Sequence, residues 1–146
     1  MKYDNIVLAV DAVITVDDKV LLIKRNTETF KGKYALPGGK VEKDELLKDS
    51  LVREVKEEIG LDVVPFAMLG IYDEVKRDPR GRVVSVVYLC RPVSDFPKEF
   101  NASKREVQSV EFIPMRDIVD GKVELAFDHA RMIKSYYAIS HMGKRM

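Results

Sequence analysis

Apolar positions in this chain gather into short β-branched runs, with two longer stretches of helical character between and after them. Ile6 to Val16 reads IVLAVDAVITV, Asp17-Asp18-Lys19 interrupts the run, and Val20 to Arg25 (VLLIKR) resumes it, which is the pattern of a β-hairpin. A polar segment, NTETFKGK, follows, and YAL then predicts a short strand stopped by Pro37-Gly38-Gly39. Asp44 to Ile59 contains neither Gly nor Pro and predicts a helix, with Asp44 as its N-cap and Gly60 at its end. Val63 to Val75 and Val83 to Arg91 predict a second hairpin with Asp78-Pro79-Arg80-Gly81 at its tip. VQSVEFIP supplies one more strand, MRDIV a brief helical turn, and Phe127 to Ser140 a terminal helix with Ile133, Tyr136, Tyr137 and Ile139 facing a core or an interface. The order β, β, short β, α, β, β, β, α predicts an α/β (α+β) fold, an α/β/α sandwich around a mixed sheet. It argues against a Rossmann unit, whose strands and helices alternate.

Composition narrows the picture. With 146 residues, 46% hydrophobic and 34% charged, the chain suits a single domain over residues 1–146 with a real core. A formal net charge of +1 provides no overall attraction to nucleic acid or to an anionic membrane, so any phosphate chemistry must come from local placement. The short basic tail Gly143-Lys144-Arg145 is too small for a DNA-recognition helix. No apolar run approaches the ~18 residues of a membrane helix. The start MKYDNIVLAVDAV lacks the features of a signal peptide, so the expected location is cytoplasmic. Cys90, the single cysteine, lies in the apolar run VVSVVYLC and reads as a buried thiol, not a nucleophile or ligand.

The chemistry concentrates between Gly38 and Leu61, GGKVEKDELLKDSLVREVKEEIGL. At roughly 100° per residue, Glu57 and Glu58 fall about 60° and 40° to either side of Glu54, so three acids share one helix face while Leu51, Val52, Val55 and Ile59 adjoin it. Like charges at such spacings weaken a bare helix by a few tenths of a kcal/mol per pair, roughly. A divalent cation turns the repulsion into coordination, and hard oxygen donors suit Mg²⁺ or Mn²⁺ rather than zinc. Pro37-Gly38-Gly39 allows close backbone approach to a ligand. Glu45, Asp49, Arg53 and Glu57 recur at steps of four, giving Arg53 carboxylate neighbours that hold the acids in place.

Gly39, Glu45, Arg53-Glu54-Val55, Glu57-Glu58, Ile59, Gly60 and Leu61, at these spacings, together resemble a complete Nudix box, and the flanking elements resemble the Nudix fold over essentially the whole chain. The resemblance implies a hydrolase of nucleoside diphosphates linked to another moiety, working with Mg²⁺ (Mn²⁺ substituting) and attack of water on phosphorus. It implies Glu54, Glu57, Glu58 and the Gly38 carbonyl as metal ligands, with Glu45 and Arg53 bracing the loop and helix. A general base or further ligand is expected from outside the box; Glu99, Glu106 and Glu111 are the candidates, and Glu106 is favoured for its place on the loop before VQSVEFIP.

RDPRGRVVSVVY and LAFDHARMI are similar to the corresponding stretches of ADP-ribose pyrophosphatases and of ADP-ribose-sensing Nudix domains. The expected substrate-binding residues are Arg25, a phosphate contact from its place at a strand end shortly before the glycine loop, Arg80, Gly39 in the loop, Tyr34 and Phe127 for stacking, and His129. ADP-ribose, cleaved to AMP and ribose 5-phosphate, is the favoured substrate. Nucleoside triphosphates, dinucleoside polyphosphates and a binding-only sensor are the alternatives. The expected partners are a small nucleotide and a second copy of the chain in a homodimer, with neither nucleic acid nor membrane.

Overall fold

A computed structural model describes residues 5–142, so the basic tail Gly143-Lys144-Arg145 and the first four residues lie outside the described part. Its strands are β1 (Val7–Val16), β2 (Lys19–Arg25), β3 (Tyr34–Ala35), β4 (Gly38–Lys40), β5 (Val63–Tyr72), β6 (Val83–Pro92) and β7 (Val107–Pro114). The helices are α1 (Leu47–Ile59), α2 (Met115–Val119) and α3 (His129–His141). Among the described residues no helix is long and apolar enough to cross a membrane.

The first hairpin forms, but only its tip pairs: Thr15 faces Val20 and Val16 faces Lys19. Beyond that point β1 and β2 part company. β1 runs parallel to β6 from Val7–Val83 to Ile14–Cys90 and antiparallel to β4, while β2 pairs with β7 and β3. The sheet is therefore mixed, and a cleft opens where the two strands diverge. β5 closes the other side against β6 in the predicted second hairpin.

Strand alternation assigns the two faces of β1. Val10, Ala12 and Ile14 point to a core shared with Leu51, Val55 and Ile59 of α1, all of them fully buried. Val13 points to the opposite core, built with Met115 and Ile118 of α2 and Met132 and Ile133 of α3. This is the expected α/β/α arrangement. Burial of each large aliphatic side chain contributes roughly 1.5–3 kcal/mol, so the two faces together fix where α1 sits on the sheet.

Four local expectations are corrected. Gly38–Lys40, read as a strand breaker, forms β4, because Gly38 lies against Asp11 and Val10, where a Cβ would collide with the Val10 carbonyl. Helix α1 starts at Leu47 with Leu46 at the N-cap position, not Asp44. Glu42 to Glu45 instead make a turn, the Glu45 amide donating to the Glu42 carbonyl at 3.1 Å and the Glu42 amide to the Glu45 carboxylate at 3.0 Å. β5 ends at Tyr72, short of Val75, since the following loop folds inward with Arg77 and Asp78 buried. Of the terminal-helix residues, Ile133 is buried and Tyr136 and Tyr137 are half-buried, but Ile139 is exposed. Gly60 does end α1, with φ 72° and its amide on the Lys56 carbonyl. Cys90 is buried, and burial pushes its thiol up to about 12, which removes it from nucleophilic chemistry.

Candidate active site

The cleft between the diverging strands is a cavity of about 480 Å³. Its walls come from β1, β2, β4, α1, the β5–β6 loop, Glu106 and the start of α3, and of the expected site residues it collects Arg25, Gly38, Gly39, Glu54, Glu58, Arg80, Glu106, Phe127 and His129. Residues distant along the chain thus meet around one cleft.

Its acidic part is built on the approach of α1 to the double glycine. The Gly38 amide donates to Glu58 Oε1 at 3.1 Å. In a strand the carbonyl of a residue faces the same edge as its amide, so the Gly38 carbonyl also faces away from β1. A Cβ on Gly39 would overlap the Glu54 carboxylate, so glycine is what admits that carboxylate. Burial is the main reason that the proton affinity of Glu58 is raised well above the ordinary carboxylate range, with Glu106, Glu54 and Asp11 adding repulsion. Glu54 is raised for the same principal reason, with Glu57 and Glu106 adding repulsion against the attraction of Arg53.

Arg53 is the organiser of this part. Its Nε and Nη2 donate to both oxygens of Glu45 at 2.6 and 2.8 Å, its Nη1 to Glu54 at 3.0 Å and to Glu57 at 3.1 Å, and its Nη2 also to the Lys40 carbonyl at 3.3 Å. The hydrogen bond from Arg53 lowers the Glu45 carboxyl to about 2. Glu45 and Arg53 therefore stand outside the cavity and join the glycine strand to the helix.

The oxygen-only donor set and the raised proton affinity of Glu54 and Glu58 fit a hard divalent cation, whose charge relieves both burial and repulsion. The three box glutamates do not form a closed cage. Among the described residues no group of three or more His, Cys, Asp or Glu side chains stands in a metal-holding arrangement. Glu57, held to Arg53 and more than half exposed, does not line the cavity.

Another part of the lining is cationic and aromatic. The guanidinium of Arg25 lies 5.0 Å from the centroid of the Phe127 ring and that of Arg80 5.5 Å from it, with Phe30 edge-on at 4.8 Å. Arg25 is oriented by the Thr29 carbonyl at 2.8 Å and by Thr27 Oγ1 at 3.2 Å, and Arg80 by both oxygens of Asp78. Burial and the nearby Arg80 weaken the proton affinity of Arg25, as expected of cations gathered for an anion. Phe127 takes φ +54°, a conformation that costs ~1 kcal/mol for a non-glycine residue. Its neighbours hold it there, the Ala126 amide on the Tyr34 carbonyl at 2.7 Å and Asp128 on Arg77.

Tyr34 is not brought to the cavity. Its ring packs into the second core and its hydroxyl donates to Glu111 at 2.9 Å, which also engages Glu111. Glu99 lies exposed in the β6–β7 loop and does not line the cavity. Glu106 is the one of the three loop and strand candidates that faces Glu54 and Glu58. His129 is fully enclosed. Its Nδ1 accepts the Leu36 amide at 2.9 Å, and burial lowers its proton affinity so that it stays neutral.

Sequence reasoning missed Asp11, Arg77 and Lys40, all in the lining. Asp11 carried a signal, an acid in the middle of a β-branched run. Arg77 and its partner Asp128 are 51 residues apart and carried none.

The Nudix domain model matches residues 6–136. An ADP-ribose pyrophosphatase of Methanocaldococcus jannaschii is 41% identical over 129 residues, 88% of this chain and 72% of that protein. Among solved structures, the Nudix domain of Shewanella oneidensis NrtR complexed with ADP ribose is 28% identical with a TM-score of 0.77, covering 94% of this chain and 90% of that one. A bifunctional NMN adenylyltransferase/ADP ribose pyrophosphatase from Francisella tularensis, complexed with AMP and a Mn ion, is 26% identical with a TM-score of 0.77, over 95% of this chain and 42% of that one. With box residues meeting around one cleft and the family model spanning most of its length, the chain belongs to the Nudix hydrolase family.

Proposed function

We propose that the protein is a Mg²⁺-dependent pyrophosphohydrolase that cleaves ADP-ribose to AMP and ribose 5-phosphate. The observation that carries this reading is that one cavity is lined both by Glu54, Glu58, Glu106 and the glycine strand and by Arg25, Phe127 and Arg80. The first set suits a cation on the diphosphate and the second a phosphate oxygen or an aromatic ring. The 41% identity to an ADP-ribose pyrophosphatase supports the choice of substrate.

In this reading Glu54, Glu58 and the Gly38 carbonyl would hold the cation, and Glu57, bonded to Arg53 in this structure, would be the third glutamate ligand. Bound Mg²⁺ supplies charge neutralisation of the diphosphate and an acidified water, and Mn²⁺ can replace it. Arg25 and Arg80 position the diphosphate. Glu106 accepts the proton of the attacking water as the new P–O bond forms and the bridging P–O bond breaks, so each product leaves with one phosphate. Arg53 and Glu45 keep α1 in register with β4 throughout.

The likeness to the NrtR Nudix domain favours a second reading, binding of ADP-ribose without turnover. Retention of Glu54, Glu57 and Glu58 supports hydrolysis over it. A chromatographic product assay separates the two: Mg²⁺-dependent release of AMP from ADP-ribose, abolished by chelator, is the expected result, and tight binding with no product would establish the sensor. A nucleoside triphosphate or dinucleoside polyphosphate turned over faster would move the substrate assignment to it. Homodimerisation is part of the proposal; the row Phe66, Met68 and Ile71, exposed on edge strand β5, supports it, and light scattering tests it.

A further inference from the structure

Among the acids that line the cavity apart from the box glutamates, Asp11 is buried and has no part in the mechanism above. Asp11 of β1 is 7% exposed and lies on the strand face opposite Val10 and Ala12. Ser85 Oγ, fully buried on β6 and behind the cavity wall, donates to its Oδ2 at 2.5 Å. The other oxygen, Oδ1, stands 3.6 Å from His129 Nε2, beyond hydrogen-bond length. Because His129 Nδ1 accepts the Leu36 amide, the proton of the neutral ring is on Nε2 and turned to Asp11.

The carboxylate is thus oriented from behind but not saturated. It can accept about four hydrogen bonds, and Ser85 provides one. Glycine at position 38 keeps the space beside Oδ1 open, since a Cβ there would lie 2.5 Å from that oxygen. Arg77 and Arg25 attract it through space, but neither donates a hydrogen bond to it: Arg77 bonds Asp128 and the Val83 carbonyl, and Arg25 bonds Thr27 and the Glu28 and Thr29 carbonyls. A buried acceptor with spare capacity in a cavity wall is costly until a donor fills it. It welcomes a hydroxyl and repels a phosphate oxygen.

We propose that Asp11, held by Ser85, accepts a hydroxyl of a ribosyl group joined to the diphosphate and so selects a sugar over a third phosphate at this place. The inference rests on the hydrolase reading and refines its substrate class. Asp11 would be a specificity residue that touches the substrate, with Ser85 as its positioning residue.

The test compares wild type, Asp11→Ala, Asp11→Asn and Ser85→Ala on ADP-ribose, the methyl ester of ADP, the 2′,3′-dideoxyadenosine analogue of ADP-ribose, and ATP. Both kcat/KM with Mg²⁺ and calorimetric Kd without divalent cation are read, and thermal unfolding confirms the fold of each variant. Asp11→Ala is expected to weaken ADP-ribose by about 10–100-fold in both readouts while ATP is unchanged or improved. Asp11→Asn, which keeps the size and one acceptor, is expected to lose part of this discrimination even should the alanine variant fold poorly. Ser85→Ala should shift in the same direction by less.

Disappearance of the Asp11 penalty on the methyl ester, with the penalty kept on the dideoxy analogue, assigns the terminal ribose and supports the proposal; disappearance on the dideoxy analogue instead places the contact on the nucleoside ribose, which ATP shares, and overturns it. Equal losses on all four ligands, or no loss on ADP-ribose, would overturn it. Failure of the hydrolase reading is visible separately, as wild type that turns over neither ADP derivative, and the Kd comparison then still decides the role of Asp11.

Discussion

Arg77 and Asp128 form a two-pronged ion pair, Nε to Oδ2 at 2.9 Å and Nη2 to Oδ1 at 2.7 Å, that ties the β5–β6 loop to the first residues of α3. The Arg77 side chain is almost wholly buried. Asp128 stands at the N-cap position of α3 yet makes no side-chain cap bond, its carboxylate being turned to Arg77. The pair sets Arg80 and Phe127, one from each segment, against each other. Arg77→Ala leaves Asp128 without its partner and is expected to lower stability by about 3 kcal/mol in urea unfolding. Arg77→Lys, which cannot make both bonds, should retain much of the stability but raise KM for the proposed substrate through the displaced Phe127 and Arg80.

The two glycines of β4 should fail differently. A Cβ at position 38 meets the main chain of Val10 and Asp11, whereas one at position 39 meets only the end of the Glu54 side chain. Gly38→Ala is therefore expected to cost a few kcal/mol of stability, of the order seen for overpacked sites. Gly39→Ala should fold nearly normally and lose at least about tenfold in kcat by displacing the Glu54 carboxylate. Thermal unfolding and steady-state kinetics on the same preparations distinguish the two effects.

The acids should separate by position. Glu54→Gln and Glu58→Gln are expected to lower kcat by about 10² or more with the fold intact, and to weaken Mg²⁺ activation in a metal titration. Glu57→Gln, on the outer side with Arg53, should cost less than Glu58→Gln. For Glu106→Gln a large loss of kcat at nearly unchanged Kd for ADP-ribose would support its role as base; unchanged kcat would remove it.

Acid should destabilise the fold in two stages. His129, whose proton affinity is lowered by burial, takes up a proton more readily unfolded, so stability falls as the pH drops through the unfolded value of about 6.5. Glu54 and Glu58, with raised affinities, act in the opposite sense, which makes His129→Gln the needed reference. The urea midpoint of wild type should fall relative to that variant between pH 7.5 and 5.5. The Glu45–Arg53 contribution is present above the ordinary carboxylate value of 4.5 and is lost as the pH falls toward about 2, so Glu45→Gln should flatten the lower stage.

Local pattern was sufficient for the elements and for half of the site. Continuous β-branched runs revealed β1, β2 and β6, and the three- and four-residue spacing of Glu54, Glu57 and Glu58 revealed an acidic helix face, because both signals are local to the chain. Spacing alone did not show that Arg53, one turn earlier, holds the Glu57 carboxylate at 3.1 Å. Pro37-Gly38-Gly39 suggested an interruption, yet the strand forms because β1 and α1 both press close to a backbone without side chains.

Pairings distant in sequence lay beyond that reading. Nothing near Asp11 indicates Ser85 or His129, and nothing near Arg77 indicates Asp128, since each pair meets only through the parallel β1–β6 ladder and the packing of α3. Tyr34 shows the converse: an aromatic beside the glycine loop suggested stacking on substrate, but β3 turns its ring into the second core. The residues themselves thus specified a Nudix box and its hard-oxygen chemistry. Which acids face one another, which arginines flank Phe127 and which buried carboxylate lines the cavity follow from the divergence of β1 and β2, a long-range arrangement that no local period encodes.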